Sequence, residues 1–189
     1  LNSSGNNIDD SGTIAITSTT TLNAGAGNIT LDEGDGTFGT LELTGATVAV
    51  TENAATAIGA STISNTLSIT SNNAITNTAA ISVTNASTFD NSSGTNAAIT
   101  LDNASNSFGG NVTFTTGTGS SVTVNDDSAF MIQSGLSVTN LSVTTTNDAI
   151  TQGGAITVGT ATIDAGTAAV TLTSANDFDT VITTGGVIQ

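Results

Sequence analysis

The sequence predicts an all-β chain, and more narrowly a single-stranded parallel β-helix with about three strands per coil. Three observations carry that reading: alternation of apolar and small polar residues, a long internal repeat, and the lack of residues that competing β folds use. The alternation comes in short triplets. Val48-Ala-Val50, Leu67-Ser-Ile69, Ile81-Ser-Val83, Ile99-Thr-Leu101, Val122-Thr-Val124 and Ile156-Thr-Val158 all place two apolar residues around a small one. Period two puts both apolar side chains on one face and the Ser, Thr or Ala on the other. Thr, Val and Ile suit a pleated surface. The triplets predict strands of about three to five residues. The intervals are rich in Gly, Asn, Asp and Ser, the residues that turns require. The chain contains no Pro, which suits an unbroken ladder of backbone donors.

The repeat is visible in three segments: "TLNAGAGNITLDEGDGTFGTLELTG" from Thr21, "TFDNSSGTNAAITLDNASNSFGGNVTFTTG" from Thr88 and "TIDAGTAAVTLTSANDFDTVITTGG" from Thr162. Phe38, Phe108 and Phe178 recur at intervals of 70 residues, and Leu31, Leu101 and Leu172 at 70 and 71. A second block, "LSITSNNAITNTAAISV" from Leu67, recurs as "LSVTTTNDAITQGGAITV" from Leu141. The unit is therefore about 70 to 75 residues. The chain reads as one continuous solenoid of about 2.7 imperfect units, divided roughly as 1–66, 67–140 and 141–189. Strands recurring inside each unit give coils of roughly 20 to 25 residues, and eight or nine coils stacked at about 4.8 Å would span roughly 40 Å. Phe38, Phe108 and Phe178 are expected to fill corners of a thin core together with Leu31, Leu101 and Leu172. An immunoglobulin-like sandwich array is the competing fold. It would want longer strands, a large buried aromatic and Pro in its turns, and this chain has no Trp, Tyr or Pro.

Composition limits function. The 189 residues include no Lys, Arg or His against 15 Asp plus Glu, a net charge of -15. Nucleic-acid binding needs cations that displace counterions from phosphates, and an anionic membrane surface needs them too, so neither partner is expected. No Cys is present, so disulfides and thiolate metal sites are excluded. No apolar run reaches the length of a membrane span, and no signal peptide is recognisable. Leu1 at the first position fits a processed chain or a window on a longer one. Acidic, Ser/Thr/Asn/Gly-rich chains are often disordered, but the regular patterning argues for a fold.

Little reactive chemistry is available. Ser-His catalysis lacks its base, and there is no Cys or Lys nucleophile. Asp126-Asp127 and Asp9-Asp10 are the nearest thing to the paired carboxylates of a glycoside hydrolase. Neighbouring residues on a strand point to opposite faces, so these read as solvated turn acids, and no enzyme activity is expected. Asp32, Glu33 and Asp35 in "LDEGDGTFG" form the densest acidic cluster. Oxygen ligands on a Gly-rich turn suit Ca2+, although the spacing is neither that of an EF-hand nor that of a Gly-Gly-x-Gly-x-Asp nonapeptide roll. No other cofactor is expected. Asn-x-Ser/Thr sequons occur at Asn2, Asn28, Asn85, Asn91, Asn103, Asn111 and Asn140, most of them by chance in a chain this rich in those residues. "TATI", "TSTTT" and "VTTT" resemble the Thr-x-Thr arrays of ice-binding solenoids, but the insertions in the repeat argue against the regular face such binding needs.

"NNAITNTAAISV" and "NDAITQGGAITVGTATIDAGTAAVTLTSANDF" resemble the repeats of filamentous-haemagglutinin-type and related β-strand-repeat secreted surface adhesins. The resemblance covers nearly the whole chain, most clearly Leu67 to Gly117 and Leu141 to Gly186. It implies a right-handed β-helix, an extracellular or cell-surface location, and a role in adhesion or matrix building. The expectation is a structural or adhesive fibre segment of a bacterial surface or secreted protein. The alternative is a filament subunit for a matrix or sheath, stacking end to end. Its partners are then itself or neighbouring repeats, with host or cell-surface glycans or proteins on the outer face.

Overall fold

The computed structural model describes residues 1–34, 36–94 and 96–189. Every element among them is a β-strand, and every pairing is parallel. The chain winds as a β-solenoid of about nine turns. On the first face of six successive coils lie Ile8–Asp9, Ile29–Leu31, Val48–Glu52, Leu67–Ser71, Ser87–Asn91 and Val112–Thr116, paired in that order into a six-stranded sheet. The coil length follows from the register. Ile29 sits beside Val48, 19 residues on, while Ser87 sits beside Val112, 25 residues on. The second face carries Thr56–Ile58, Ile75–Asn77, Ile99–Leu101 and Ser121–Asp126, and the third carries Ser61–Ile63, Ile81–Val83 and Ser107–Phe108.

The triplets form the expected strands for the expected reason. In Ile29–Leu31, Ile75–Asn77, Ile81–Val83 and Ile99–Leu101 the outer two residues are buried and the middle one is not. Stacked at one position per coil, the inward residues make a single core that includes Leu31, Leu41, Ile69, Phe89, Leu101 and Val143. Outward residues stack as well. Thr76, Thr100, Thr123, Ser142 and Thr162 are register partners in one column on the second face, which ends at Ile182.

Strand length departs from the expected three to five residues. Ala15–Asn23, Thr37–Gly45 and Ser137–Thr145 have nine residues, and Thr157–Asp164 and Asp177–Thr184 have eight. These strands run on through a corner instead of stopping at a turn. Glycine permits that close passage at two of the bends. A Cβ on Gly39 would lie 2.4 Å from the carbonyl oxygen of Thr17, and one on Gly159 would lie 2.6 Å from that of Thr139. Thr37–Gly45 consequently faces one long strand, Ala15–Asn23, on one side and two short ones, Thr56–Ile58 and Ser61–Ile63, on the other.

Candidate functional site

The repeated phenylalanines and leucines all face the core. Phe38, Phe108, Leu31 and Leu101 are buried, while Phe178 and Leu172, in the last coils, are half-buried and packed against it. The aromatic packing centres on Phe89, which lies outside that repeat. Phe89 meets Phe108 edge-on with ring centroids 5.9 Å apart and stacks on Phe114 at 6.0 Å.

Polar groups occupy fixed places inside this core, Asn77, Asn91 and Asn106 among them. Asn106 is wholly buried. Its Oδ1 accepts the Ile81 N–H at 3.0 Å and the Asn77 Nδ2 at 2.8 Å, and its Nδ2 donates to the Leu101 carbonyl at 2.9 Å. One unit later the same clamp is built again. Asn176 Oδ1 accepts the Ile156 N–H at 3.2 Å and the Gln152 Nε2 at 2.8 Å, while Asn176 Nδ2 donates to the Leu172 carbonyl at 3.3 Å. An amide has both donor and acceptor, so it satisfies a backbone N–H and C=O left open where a strand turns a corner. Nothing in the local sequence separates Asn106 and Asn176 from the many turn asparagines; only their equal place in the 70-residue repeat marks them.

Two carboxylates do the same work less comfortably. Glu52 and Asp126 are each 1% exposed, so Asp126 is not the solvated turn acid that its sequence context predicts. It sits inside because it follows Val122 and Val124 at period two and so points inward with them. Asp127 beside it is exposed, and Asp9 and Asp10 are exposed and half-buried. Glu52 Oε1 accepts the Phe38 N–H at 2.7 Å, and Asp126 Oδ1 accepts the Phe108 N–H at 3.3 Å. Asp126 Oδ1 also accepts the Ser128 N–H and hydroxyl at 3.2 and 3.1 Å. The second oxygen of each carboxylate has no donor in hydrogen-bond geometry. The Thr56 hydroxyl lies close enough to Glu52 to steady its charge but off that geometry.

Burial in a chain with no cationic side chain pushes both carboxyls up, against the pull of their hydrogen bonds. Asp126 rises to about 6, burial being the main cause and the Asp127 charge a lesser one. A raised acid binds its proton more tightly folded than unfolded. Stability should therefore fall as pH rises from the ordinary Asp range to about 6, and level off above. We expect Asp126→Asn to keep the Oδ1 contacts, raise stability at pH 7.5 by about 1–2 kcal/mol, and flatten that pH window. Thermal melts across pH 4 to 8 decide the matter, and a variant that melts below wild type at pH 7.5 would contradict it.

Another side-chain plug is Gln133. Its Oε1 accepts the Phe114 N–H, and its Nε2 donates to the Phe114 carbonyl at 3.0 Å. It thus stands in for a neighbouring strand at the upper edge of Val112–Thr116, where the six-stranded sheet stops.

The outer surface offers small polar groups. Asp32 and Glu33 lie exposed on their turn, where Asp10 Oδ1 accepts the Asp32 N–H at 3.2 Å, and Asp35 lies outside the described residues. Among the described residues no three acidic side chains converge as a metal site. Of the sequon asparagines, Asn2, Asn28, Asn85, Asn111 and Asn140 are exposed and Asn103 is half-buried, whereas Asn91 is wholly buried. Asn91 donates from Nδ2 to the Ala97 carbonyl at 3.1 Å and is out of reach of modification in the folded chain. A corner ladder is built from Asn85 Nδ2 to Asn65 Oδ1 and from Asn65 Nδ2 to Thr47 Oγ1, both 2.9 Å.

A continuous core, a repeated polar clamp and a surface of small side chains define a β-solenoid repeat protein. The family model described as "Repeats of unknown function (DUF5649)" matches residues 1–44, 45–115 and 119–185, and the chain belongs to that family. No curated protein and no solved structure matches it. The matched segments start at another point of the period than the division 1–66, 67–140 and 141–189.

Proposed function

We propose that this chain is a structural, adhesive segment of an extracellular or cell-surface fibre, acting through its length and outer face and carrying out no catalysis. The observation that carries the reading is the outer face itself. Register-matched columns such as Thr76, Thr100, Thr123, Ser142 and Thr162 run from coil to coil. Such a surface suits many weak contacts repeated along a rod, made to glycans or proteins of a cell surface. The absence of Lys and Arg also leaves trypsin-like proteases no cleavage site, which suits exposed material. The test is the shape of the full-length gene product. Negative-stain images should show rods lengthening by about 4.8 Å for each added coil. Short compact particles would overturn the reading.

A second reading is a filament subunit stacking copies end to end, for a matrix or sheath. What favours it is apolar surface at both ends of the stack. Val181, Ile182, Val187 and Ile188 are about half exposed, and a cavity of about 410 Å3 near the first coil is lined by Ile8, Ile14, Ile16 and Leu22. A further coil of the same chain would cover these residues equally well. Sedimentation of the 189-residue chain separates the two: growth of long species with concentration favours stacking, and a monomer at all concentrations excludes it.

A further inference from the structure

The solenoid wall is interrupted along one line, close to the boundary between the second and third family segments. On the first face the six-stranded sheet ends at Val112–Thr116, and the coil above, with Leu136 and Val138 turned inward, adds no strand to it. On the third face the pairing ends at Ser107–Phe108, and Phe130–Ile132 starts a separate four-stranded sheet. Only the second face carries a ladder across, through six register pairs from Ser121 beside Asn140 to Asp126 beside Thr145. At the other two gaps the coils are joined by single corner backbone bonds, from the Asp127 N–H to the Asn106 carbonyl at 2.8 Å and from the Thr139 N–H to the Ser120 carbonyl at 2.9 Å, and otherwise by side chains. Gln133 takes both backbone groups of Phe114, and Asp126 takes the Phe108 N–H. A groove of about 410 Å3 opens in the seam, bordered by Thr116, Gly117, Ser137 and Thr139.

We propose that this seam is a flexure latched by Asp126: the coils on either side are held together while its carboxyl is protonated, and part on the first and third faces when it is ionised. The mechanics come first. A parallel ladder on all three faces resists bending in every direction, whereas a ladder on one face leaves a hinge along that face. The electrostatics follow from placement. The carboxylate is buried with one oxygen lacking a donor. The strands packed against it, Ile99–Leu101, Ser107–Phe108, Phe130–Ile132 and Ser137–Thr145, bear no charged residue. The charged groups nearby are all acidic: Asp127 on its own turn, and Asp102 and Asp148 in the turns that follow Ile99–Leu101 and Ser137–Thr145. An ionised Asp126 therefore gains only by reaching water, and opening the seam is the shortest way there. The raised carboxyl, at about 6, places the change between mildly acidic and neutral pH.

Hydrogen exchange on the intact chain tests this, with peptic peptides covering 107–116 and 130–138 compared with 156–170 after correction for intrinsic rates. Seam peptides should open on the order of 10-fold more often at pH 7.5 than at pH 5, with little change in the control coils. Asp126→Asn should remove the difference. Equal protection of the seam at both pH values, or a change of the same size throughout the solenoid, would overturn the proposal. So would a pH response that persists in Asp126→Asn. Should that variant not fold, the contrast between seam and control coils in the wild-type chain decides alone.

Discussion

Phe89→Ala should lower stability by about 3–5 kcal/mol, the largest single-site loss expected in this chain. Phe89 is fully buried, lies in register between Ile69 and Phe114, and touches the rings of Phe108 and Phe114. A thin core made mostly of Ile, Leu and Val has few side chains able to move into the space a lost ring leaves. The effect should also be local in a telling way. Solenoid stability sums over coils and the interfaces between them. A weakened centre should therefore separate one unfolding transition into two. Urea denaturation followed by circular dichroism reads both features. Phe178→Ala is the internal control: that ring is half-buried, and its loss should cost about 1 kcal/mol. Equal losses for the two variants would mean that burial among Phe108 and Phe114 does not set the cost of losing the Phe89 ring.

Asn106→Ala should cost about 3 kcal/mol or more. Truncation removes little apolar contact, but it takes the Asn106 partner from the buried Ile81 N–H and Leu101 carbonyl, while Asn77 Nδ2 keeps its bond to the Ala79 carbonyl. Each such group carries a penalty of about 1–3 kcal/mol. The equivalent change at Asn176 breaks the same set of bonds in a half-buried place where water can replace them. It should cost roughly 1 kcal/mol. The paired variants therefore separate the energy of the bonds from the energy of their burial. If the two lose equal stability, burial does not set the cost.

Much of the architecture was legible in the sequence, and the reason is specific. Parallel strands stacked one per coil place the same demand on the same position of each coil, so period-two triplets and a 70-residue repeat encode inward faces directly. Ile99-Thr-Leu101 reads as a strand before any coordinates, and it is one. The polar interior was far less legible. Asp126 and Asp127 are neighbours of one chemical type; one is buried and holds the Phe108 N–H, and the other is exposed. Asn91 carries a sequon like Asn85, yet it lies wholly inside. Gln133 has no pattern around it that marks it as a rung beside Phe114.

The sequence by itself determined the all-β class, the repeat, the inward set of Ile, Val, Leu and Phe, and the absence of any side-chain cation. Those properties rest on local alternation and composition, which need no long-range information. Only the tertiary structure decided which corners become continuous strands, where the wall breaks, and which acids and amides are taken inside. Each of those depends on how one coil meets the next, about twenty residues away in sequence and one hydrogen-bond layer away in space.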